Sequence, residues 1–141
     1  EVSPELVAEW FKEQKKYYNI KSISIDYYRY TLLAKALKAV GFSFQDKTLF
    51  TVRPSDIMKI MPIINSWIIK HLLVFGDVPV LRWMMNNTKK VDNGNNTIYG
   101  KIERKYRKND TWMALAAAAT QEEKLEETTN VEIEELEVIT I

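Results

Sequence analysis

The sequence contains no cysteine, which excludes disulfide bonds, thiolate metal sites and cysteine nucleophiles. Its single histidine is His71, so neither a histidine-rich zinc site nor a serine–histidine triad is expected. Four glycines occur and none belongs to a G-x-x-x-x-G-K-[ST] pattern, so these residues contain no P-loop ATPase site. Any catalysis would therefore rest on carboxylates or lysines.

Long apolar runs and a leader-like N-terminus are also missing. No stretch of about 18 uncharged apolar residues occurs, and no basic N-terminal region precedes an apolar one, so we expect neither a membrane span nor a signal peptide. An intracellular protein is the simplest expectation. The 141 residues, of which 46% are hydrophobic and 28% charged, match the length and core composition of about one folded domain.

Charge is segregated along the chain, although its net value is only +1. Residues 86–108 hold seven Lys or Arg against Asp92 and Glu103, whereas residues 121–141 hold eight Glu against Lys124. This polarity predicts a basic surface and a separate acidic tail, which we place at residues 128–141. The tail alternates apolar and acidic residues from Val131 onward, as a half-buried strand does.

The N-terminus predicts a helix that begins near residue 4. Ser3, Pro4 and Glu5 have the properties of an N-cap, a first helical residue and a first-turn acid. The helix is expected to end near Asn19. Its predicted buried stripe consists of apolar residues spaced three or four apart, namely Leu6, Val7, Trp10, Phe11, Tyr17 and Tyr18.

An α/β fold class follows from the next three patterns, which predict a strand, a helix and a strand at Ser22–Asp26, Tyr28–Val40 and Thr48–Arg53. Gly41 suits the position just after a helix end. The apolar face of this helix is predicted to contain Leu32, Leu33, Ala36, Leu37 and Val40. A strand–helix–strand order predicts a βαβ unit with parallel strands and a right-handed crossover.

The middle of the chain predicts further helices and a hairpin. A helical pattern over Asp56–Lys70 contains Pro62, which should kink it. The apolar run Leu72–Val74 suggests a brief strand, and a short helix should open at Pro79. The turn sequence DNGNN then predicts a β-hairpin, which we place at residues 86–102.

Two aspartates are candidate site residues, and each has two interpretations. Asp26 ends a predicted parallel strand, where ligands of open sheets collect, but an Asp there could equally cap the following helix. Asp110 joins a basic segment to an alanine-rich helix, a place where a phosphate chain and a divalent metal could meet. On that stretch alone we favour capping by Asp110, with Asn109 as the competing cap. The helix is predicted to be a core helix with close packing at Ala114 and Ala116–Ala119.

Six basic residues of the hairpin and its exit are candidate contacts to phosphates. A solvated basic face would have the same pattern, so both interpretations stay open. These residues are Lys89, Lys90, Lys101, Arg104, Lys105 and Arg107.

Three stretches within residues 2–119 share their order and spacing with a known family. ISIDYYRYTLLAKALKAVGF is similar to a family strand that ends in Asp, followed by a helix that closes at Gly. GDVPVLRWMMNN resembles a short Pro-Val-Leu-x-Trp helix followed by Asn, and KIERKYRKNDTWMALAAA resembles a Lys/Arg-rich approach, an Asp and a small-residue helix. Together they resemble the C-terminal nuclease domain of the large terminase subunit of tailed bacteriophages.

The resemblance implies a metal-dependent endonuclease module of a phage DNA-packaging motor. Its fold would be part of a ribonuclease H-like fold, with the βαβ unit, an inserted β-hairpin and a C-terminal helix. Asp26 and Asp110 would be two of three acids that hold two Mg²⁺ or Mn²⁺ ions about 4 Å apart, and the six basic residues would contact double-stranded DNA. The alternative is a non-catalytic nucleic-acid-binding or assembly module.

The resemblance also implies partners and a location. In the full-length protein we expect an ATPase domain, a terminase small subunit and a portal, in the cytoplasm of a bacterium that hosts the phage or prophage. The family's first catalytic acid would lie outside this chain, so the chain alone is expected to be inactive. Its first strand would then have an open edge, which the acidic tail should cover within one chain or by exchange in a homodimer.

Overall fold

The computed structural model describes residues 2–125, apart from the Asn93 side chain, and it is mixed α/β as predicted. Its helices among residues 2–120 are α1 (Pro4–Gln14), α2 (Tyr30–Ala39), α3 (Pro54–Ile69), α4 (Pro79–Asn86) and α5 (Asp110–Ala119). Its strands are β1 (Ile23–Asp26), β2 (Leu49–Val52), β3 (Thr88–Asn93) and β4 (Asn96–Lys101). The acidic tail and its predicted strand lie outside the described residues.

The chain divides into two compact units. The first unit contains residues 2–52 and 121–125, and the second unit contains residues 53–120. Residues 121–125 belong to the first unit through Lys124, whose Nζ donates to the Lys47 carbonyl at 2.6 Å and lies 3.8 Å from the centroid of the Phe50 ring. The prediction of a single domain stays a prediction.

Helix α1 begins as the sequence predicts, because the Leu6 backbone N–H donates to Ser3 Oγ at 3.3 Å. The helix ends at Gln14 rather than near Asn19. Its buried side is narrower than predicted, with Ala8 buried and Phe11 packed against the core. Four residues of the predicted stripe are instead exposed: Leu6, Trp10, Tyr17 and Tyr18.

The error in this stripe has a geometric reason. At 100° per residue, Leu6 and Trp10 lie on the side of α1 opposite to Ala8, so a helix that packs one narrow side on α2 leaves both exposed. Tyr17 and Tyr18 follow the end of the helix and do not continue its stripe.

The βαβ unit forms as predicted, with β1 and β2 parallel in a register that runs from Ile23 opposite Leu49 to Asp26 opposite Val52. Helix α2 ends at Ala39, and Gly41, two residues later, has a φ of +97° that is readily available only to glycine. The Phe42 N–H donates to the Leu37 carbonyl at 3.0 Å, which closes the helix end and places Phe42 in the core. The core residues are Ala8, Ile23, Ile25, Leu37, Phe42 and Leu49.

Leu32 is the exception on the predicted apolar face of α2, because 70% of its surface is exposed. It lies five residues, or about 140° around the helix, from the fully buried Leu37. The prediction that Leu32 packs in the core is therefore wrong.

The second unit is built around α3, α4, α5 and the hairpin. A capping interaction starts α3, in which the Arg53 N–H donates to Asp56 Oδ2 at 2.8 Å, and the helix continues through Pro62. The brief strand predicted at Leu72–Val74 is wrong, because this run pairs with no strand among the described residues. The buried residues of this unit include Ile57, Met61, Ile64, Leu81, Trp112 and Ala116.

The predicted hairpin is confirmed, with β3 and β4 antiparallel from Thr88 opposite Lys101 to Asn93 opposite Asn96. The loop has two residues, and Gly94 supplies the positive φ of +65° at the first of them. A Cβ on Gly100 would lie 2.6 Å from Val91 Cγ2, so the hairpin needs glycine there for close packing.

Helix α5 is a core helix on one face only. Trp112, Ala116 and Ala119 are buried, whereas Ala114 and Ala118 are exposed, so the prediction of close packing is wrong for these two. None of the described helices is long and apolar enough to cross a lipid bilayer.

Candidate functional site

Asp26 is the last residue of β1 and its side chain is exposed. Alternation along the strand buries Ile23 and Ile25 in the core, whereas Asp26 at its end is exposed. Because β2 runs parallel to β1, the Asp26 carboxylate lies at the carboxyl end of the parallel pair. Ligands of open parallel sheets bind beyond such ends.

The Asp26 carboxylate also organises the turn that follows it. Its Oδ1 accepts the Tyr28 backbone N–H at 2.8 Å, while the Tyr27 N–H donates to the Val52 carbonyl at 3.0 Å. The N-cap position of α2 belongs to Arg29, so Asp26 stabilises a turn rather than capping the helix. Nothing else among residues 2–125 pairs with this carboxylate, and Oδ2 is left available to a ligand.

Asp110 occupies the first position inside α5, and the N-cap is the buried Asn109. The interpretation of Asp110 as the N-cap is therefore wrong, although its competitor Asn109 also makes no side-chain capping bond. An acid in the first turn is favoured by the helix dipole. The Asp110 carboxylate is exposed and makes no hydrogen bond or ion pair within the described part of the chain.

The hairpin register separates two of the predicted basic contacts. Lys90 lies opposite Tyr99 in the hairpin, so both residues belong to the same face. The Tyr99 ring packs edge-on against the Trp112 ring, with 5.7 Å between the ring centroids. Lys90 also lines a cavity of about 380 Å³ together with Met61 and Pro62 of α3. Lys89 lies opposite Gly100, on the other face of the hairpin.

The other basic candidates follow the hairpin. Arg104, Lys105 and Arg107 are exposed and Lys101 is half-buried at the end of β4. The Lys105 Nζ lies 5.2 Å from the centroid of the Tyr106 ring, so this ammonium rests on an aromatic face while staying in solvent. These residues approach α5, whose N-terminus adds the positive end of the helix dipole to their charge.

Asn87 holds the basic segment, residues 102–108, in place. The sequence patterns did not predict this role. Asn87 is fully buried, at 0% exposure, just after α4. Its Nδ2 donates to the Lys108 carbonyl at 2.9 Å, and its Oδ1 accepts from Arg107 Nη1 at 3.4 Å. The Asn87 carbonyl accepts the Ile102 N–H at 2.8 Å, so one residue ties the end of α4 to both ends of the basic segment. The available signal was the Asn86–Asn87 pair, which ends α4 and follows its apolar residues.

The two aspartates belong to different units, Asp26 to the first and Asp110 to the second. Their convergence on a shared metal stays a prediction. Within residues 2–125, no group of three His, Cys, Asp or Glu side chains is arranged to hold a metal ion. Each carboxylate is nonetheless exposed and has at least one oxygen without a protein hydrogen bond, and oxygen donors are the ligands that Mg²⁺ and Mn²⁺ prefer.

Comparisons of the chain with protein-family models, curated proteins and solved structures gave no match.

Proposed function

We propose that this chain is part of a metal-dependent endonuclease module that cuts concatemeric double-stranded DNA for a phage packaging motor, on a ribonuclease H-like fold. The single observation that carries the proposal is the position of Asp26, an exposed carboxylate with an available oxygen at the carboxyl end of a parallel strand pair. The resemblance of the three stretches described above supplies the reaction class.

In this proposal Asp26 and Asp110 hold Mg²⁺ or Mn²⁺. The resemblance implies a third acid outside this chain, and within residues 2–125 no group of three His, Cys, Asp or Glu side chains is arranged to hold a metal ion. The bound ions would supply an activated water and stabilisation of the leaving oxygen. The contribution of this chain is to present two carboxylates at the ends of regular elements, where the backbone fixes their positions.

Cleavage by the full-length protein tests the assignment of the two carboxylates. Asp26→Asn and Asp110→Asn should each abolish Mn²⁺-dependent cleavage of plasmid DNA, because a neutral amide is a poor ligand for a hard cation. ATP hydrolysis by the same protein should persist. Asp77→Asn is the matched control, since Asp77 is an exposed acid of the second unit that pairs with Arg82. Cleavage at the wild-type rate in either site variant would remove that residue from the proposal.

Basic residues of the second unit are proposed to track the DNA backbone. Affinity for duplex DNA should fall steeply with salt and depend little on base sequence, because phosphate contacts release counterions. Lys89 and Lys90 lie on opposite faces of the hairpin, so a duplex that lies against one face is closer to one of them, and Lys89→Ala and Lys90→Ala should differ. The variant whose lysine contacts a phosphate should lower the salt slope by about 0.9. Equal, unchanged slopes in both variants and in Arg104→Ala would mean a solvated basic face.

A second candidate is a non-catalytic nucleic-acid-binding or assembly module. The observation that favours it is the turn at Asp26, where the carboxylate already has a structural task as acceptor for the Tyr28 N–H. Under this candidate, Asp26→Asn and Asp110→Asn would leave DNA binding unchanged. The wild-type full-length protein would show no metal-dependent cleavage. The portal, the small subunit and an ATPase domain are proposed partners under the first candidate.

A further inference from the structure

An exposed aromatic ring and a guanidinium follow Asp26 directly. Tyr28 is 72% exposed, and the Arg29 guanidinium carbon lies 5.1 Å from the centroid of its ring. The neighbouring tyrosines behave differently, because the rings of Tyr27 and Tyr30 pack together at 5.6 Å and Tyr30 continues to Phe44 at 5.9 Å. Tyr28 has no aromatic neighbour of this kind within the described residues.

The backbone below Tyr28 is fixed at two points. The Tyr27 N–H is bonded to the end of β2 through the Val52 carbonyl, and the Tyr28 N–H is bonded to the Asp26 carboxylate. The backbone of Tyr28 is therefore held at the carboxylate, and its ring can bind a flat partner with little further loss of backbone entropy.

Arg29 adopts a left-handed conformation, with φ 55° and ψ 31°, that arginine seldom takes. Lys47 and His71 share this φ, so the conformation alone does not mark a site. At position 29, however, Arg29 is also the N-cap of α2 and makes no side-chain capping bond. An Asn or Gly would satisfy this backbone more easily, and what arginine adds is a planar cation over Tyr28.

The geometry points to a platform for one unpaired nucleotide of a DNA strand, in which Tyr28 stacks on the base and Arg29 pairs with a phosphate of the same strand. The nature of the strand rests on the function proposed above. The nucleotide has to be unpaired, because a base inside a duplex is covered on both faces by its neighbours. Aromatic rings stack on any base, and guanidinium pairs with phosphate oxygens in a bidentate manner. The platform would therefore hold a strand end, or a melted step, beside the Asp26 carboxylate without reading its sequence.

The test uses the 141-residue chain and a single-stranded oligonucleotide with one 2-aminopurine, in EDTA so that cleavage plays no part. Stacking on Tyr28 should quench the fluorescence of the probe. Tyr28→Leu should abolish the quenching and weaken binding by about 5- to 150-fold, the range of ~1–3 kcal/mol per stacked base. Tyr28→Phe should retain both effects. Tyr17→Leu is the matched control, because Tyr17 is equally exposed, at 71%, in the same unit.

The role of Arg29 has a separate readout. Arg29→Gln should lower the slope of log affinity against log salt by about 0.7, the value for one phosphate contact to a single strand. Lys47→Gln is its control, because Lys47 has the same φ. Circular dichroism of each variant checks that the fold is retained.

Two results would overturn the inference: quenching that persists in Tyr28→Leu, or a duplex with an internal 2-aminopurine that binds and quenches as well as the single strand. Failure of the platform can be distinguished from failure of the proposed nuclease function. Loss of quenching in Tyr28→Leu supports the platform even if Asp26→Asn leaves cleavage intact. If quenching is the same in Tyr28→Leu as in the wild type, the platform is refuted even if cleavage depends on Asp26.

Discussion

Replacement of Asn87 by alanine should destabilise the second unit more than any exposed substitution near it. Asn87 is fully buried, and its side chain supplies the hydrogen bond to the Lys108 carbonyl at 2.9 Å. Alanine has no side-chain donor, so the Lys108 carbonyl loses this hydrogen bond. The contact with Arg107 is also lost, but at 3.4 Å and with an exposed guanidinium it contributes little.

The magnitude follows from two effects. Loss of a buried donor leaves its acceptor unsatisfied at a cost of about 1–3 kcal/mol. The amide volume becomes a small cavity beside Lys108, which adds a further loss of packing. We therefore expect the free energy of unfolding to fall by about 2–4 kcal/mol. Alanine keeps the backbone carbonyl of residue 87, which accepts the Ile102 N–H just after β4, but a shift of this residue into the space left by the amide should weaken that bond as well.

Urea unfolding of Asn87→Ala, followed by circular dichroism, measures this loss as a lower midpoint at unchanged slope. Hydrogen exchange shows whether the loss of stability lies in the second unit, because the Ile102 amide should then exchange faster in Asn87→Ala than in the wild type. Asn86→Ala is the matched control, because Asn86 is the exposed last residue of α4 and its replacement should change stability by about 0.5 kcal/mol or less. A change in Asn87→Ala no larger than that of the control would refute the reasoning.

Three further variants test the packing of each unit. Leu37→Ala should lower the free energy of unfolding by about 2–5 kcal/mol in a urea titration, since Leu37 is fully buried in the first core. Gly100→Ala should cost about 1–3 kcal/mol because its Cβ would meet Val91 Cγ2, and Val91→Ala in the same chain should recover part of that loss. Burial raises the pKa of the Tyr99 hydroxyl above 10.0, so the folded state keeps this proton longer than the unfolded state. Stability from Tyr99 is then constant below about pH 10 and is lost as the pH rises from there toward the folded-state pKa, so Tyr99→Phe should flatten the decline of stability above about pH 10.

Element ends were predictable from the sequence where a residue has few conformational choices. Ser3 and Pro4 start α1, Gly41 ends α2, and Gly94 turns the hairpin, each through a backbone or capping preference that acts within a few residues. The strand order of the βαβ unit followed in the same way, because a crossover helix between two strands leaves a parallel pair as the natural arrangement.

Burial was less predictable, because periodicity shows that a face is apolar and not that a neighbour covers it. Leu6 and Trp10 are apolar at helical spacing, yet α1 contacts α2 with its other side. Helix α5 is apolar on every side, so its pattern could not select the face of Ala116 over that of Ala114. The role of Asn87 was hidden for a related reason: its side-chain partners lie 20 and 21 residues further along the chain.

Structural and metal-binding roles of Asp26 and Asp110 can be separated by comparing Asn and Ala at each position. At residue 26, Asn keeps an oxygen that can accept the Tyr28 N–H, so Asp26→Asn should be more stable than Asp26→Ala by about 0.5–1.5 kcal/mol. At residue 110 no such bond exists, and alanine is the better helix former, so Asp110→Asn should be no more stable than Asp110→Ala. Neither amide is a good ligand for Mg²⁺, so all four variants of the full-length protein should lose cleavage whatever their stability. Cleavage that followed stability, with Asp26→Asn active and Asp26→Ala inactive, would assign Asp26 to the turn alone and leave the metal to other residues.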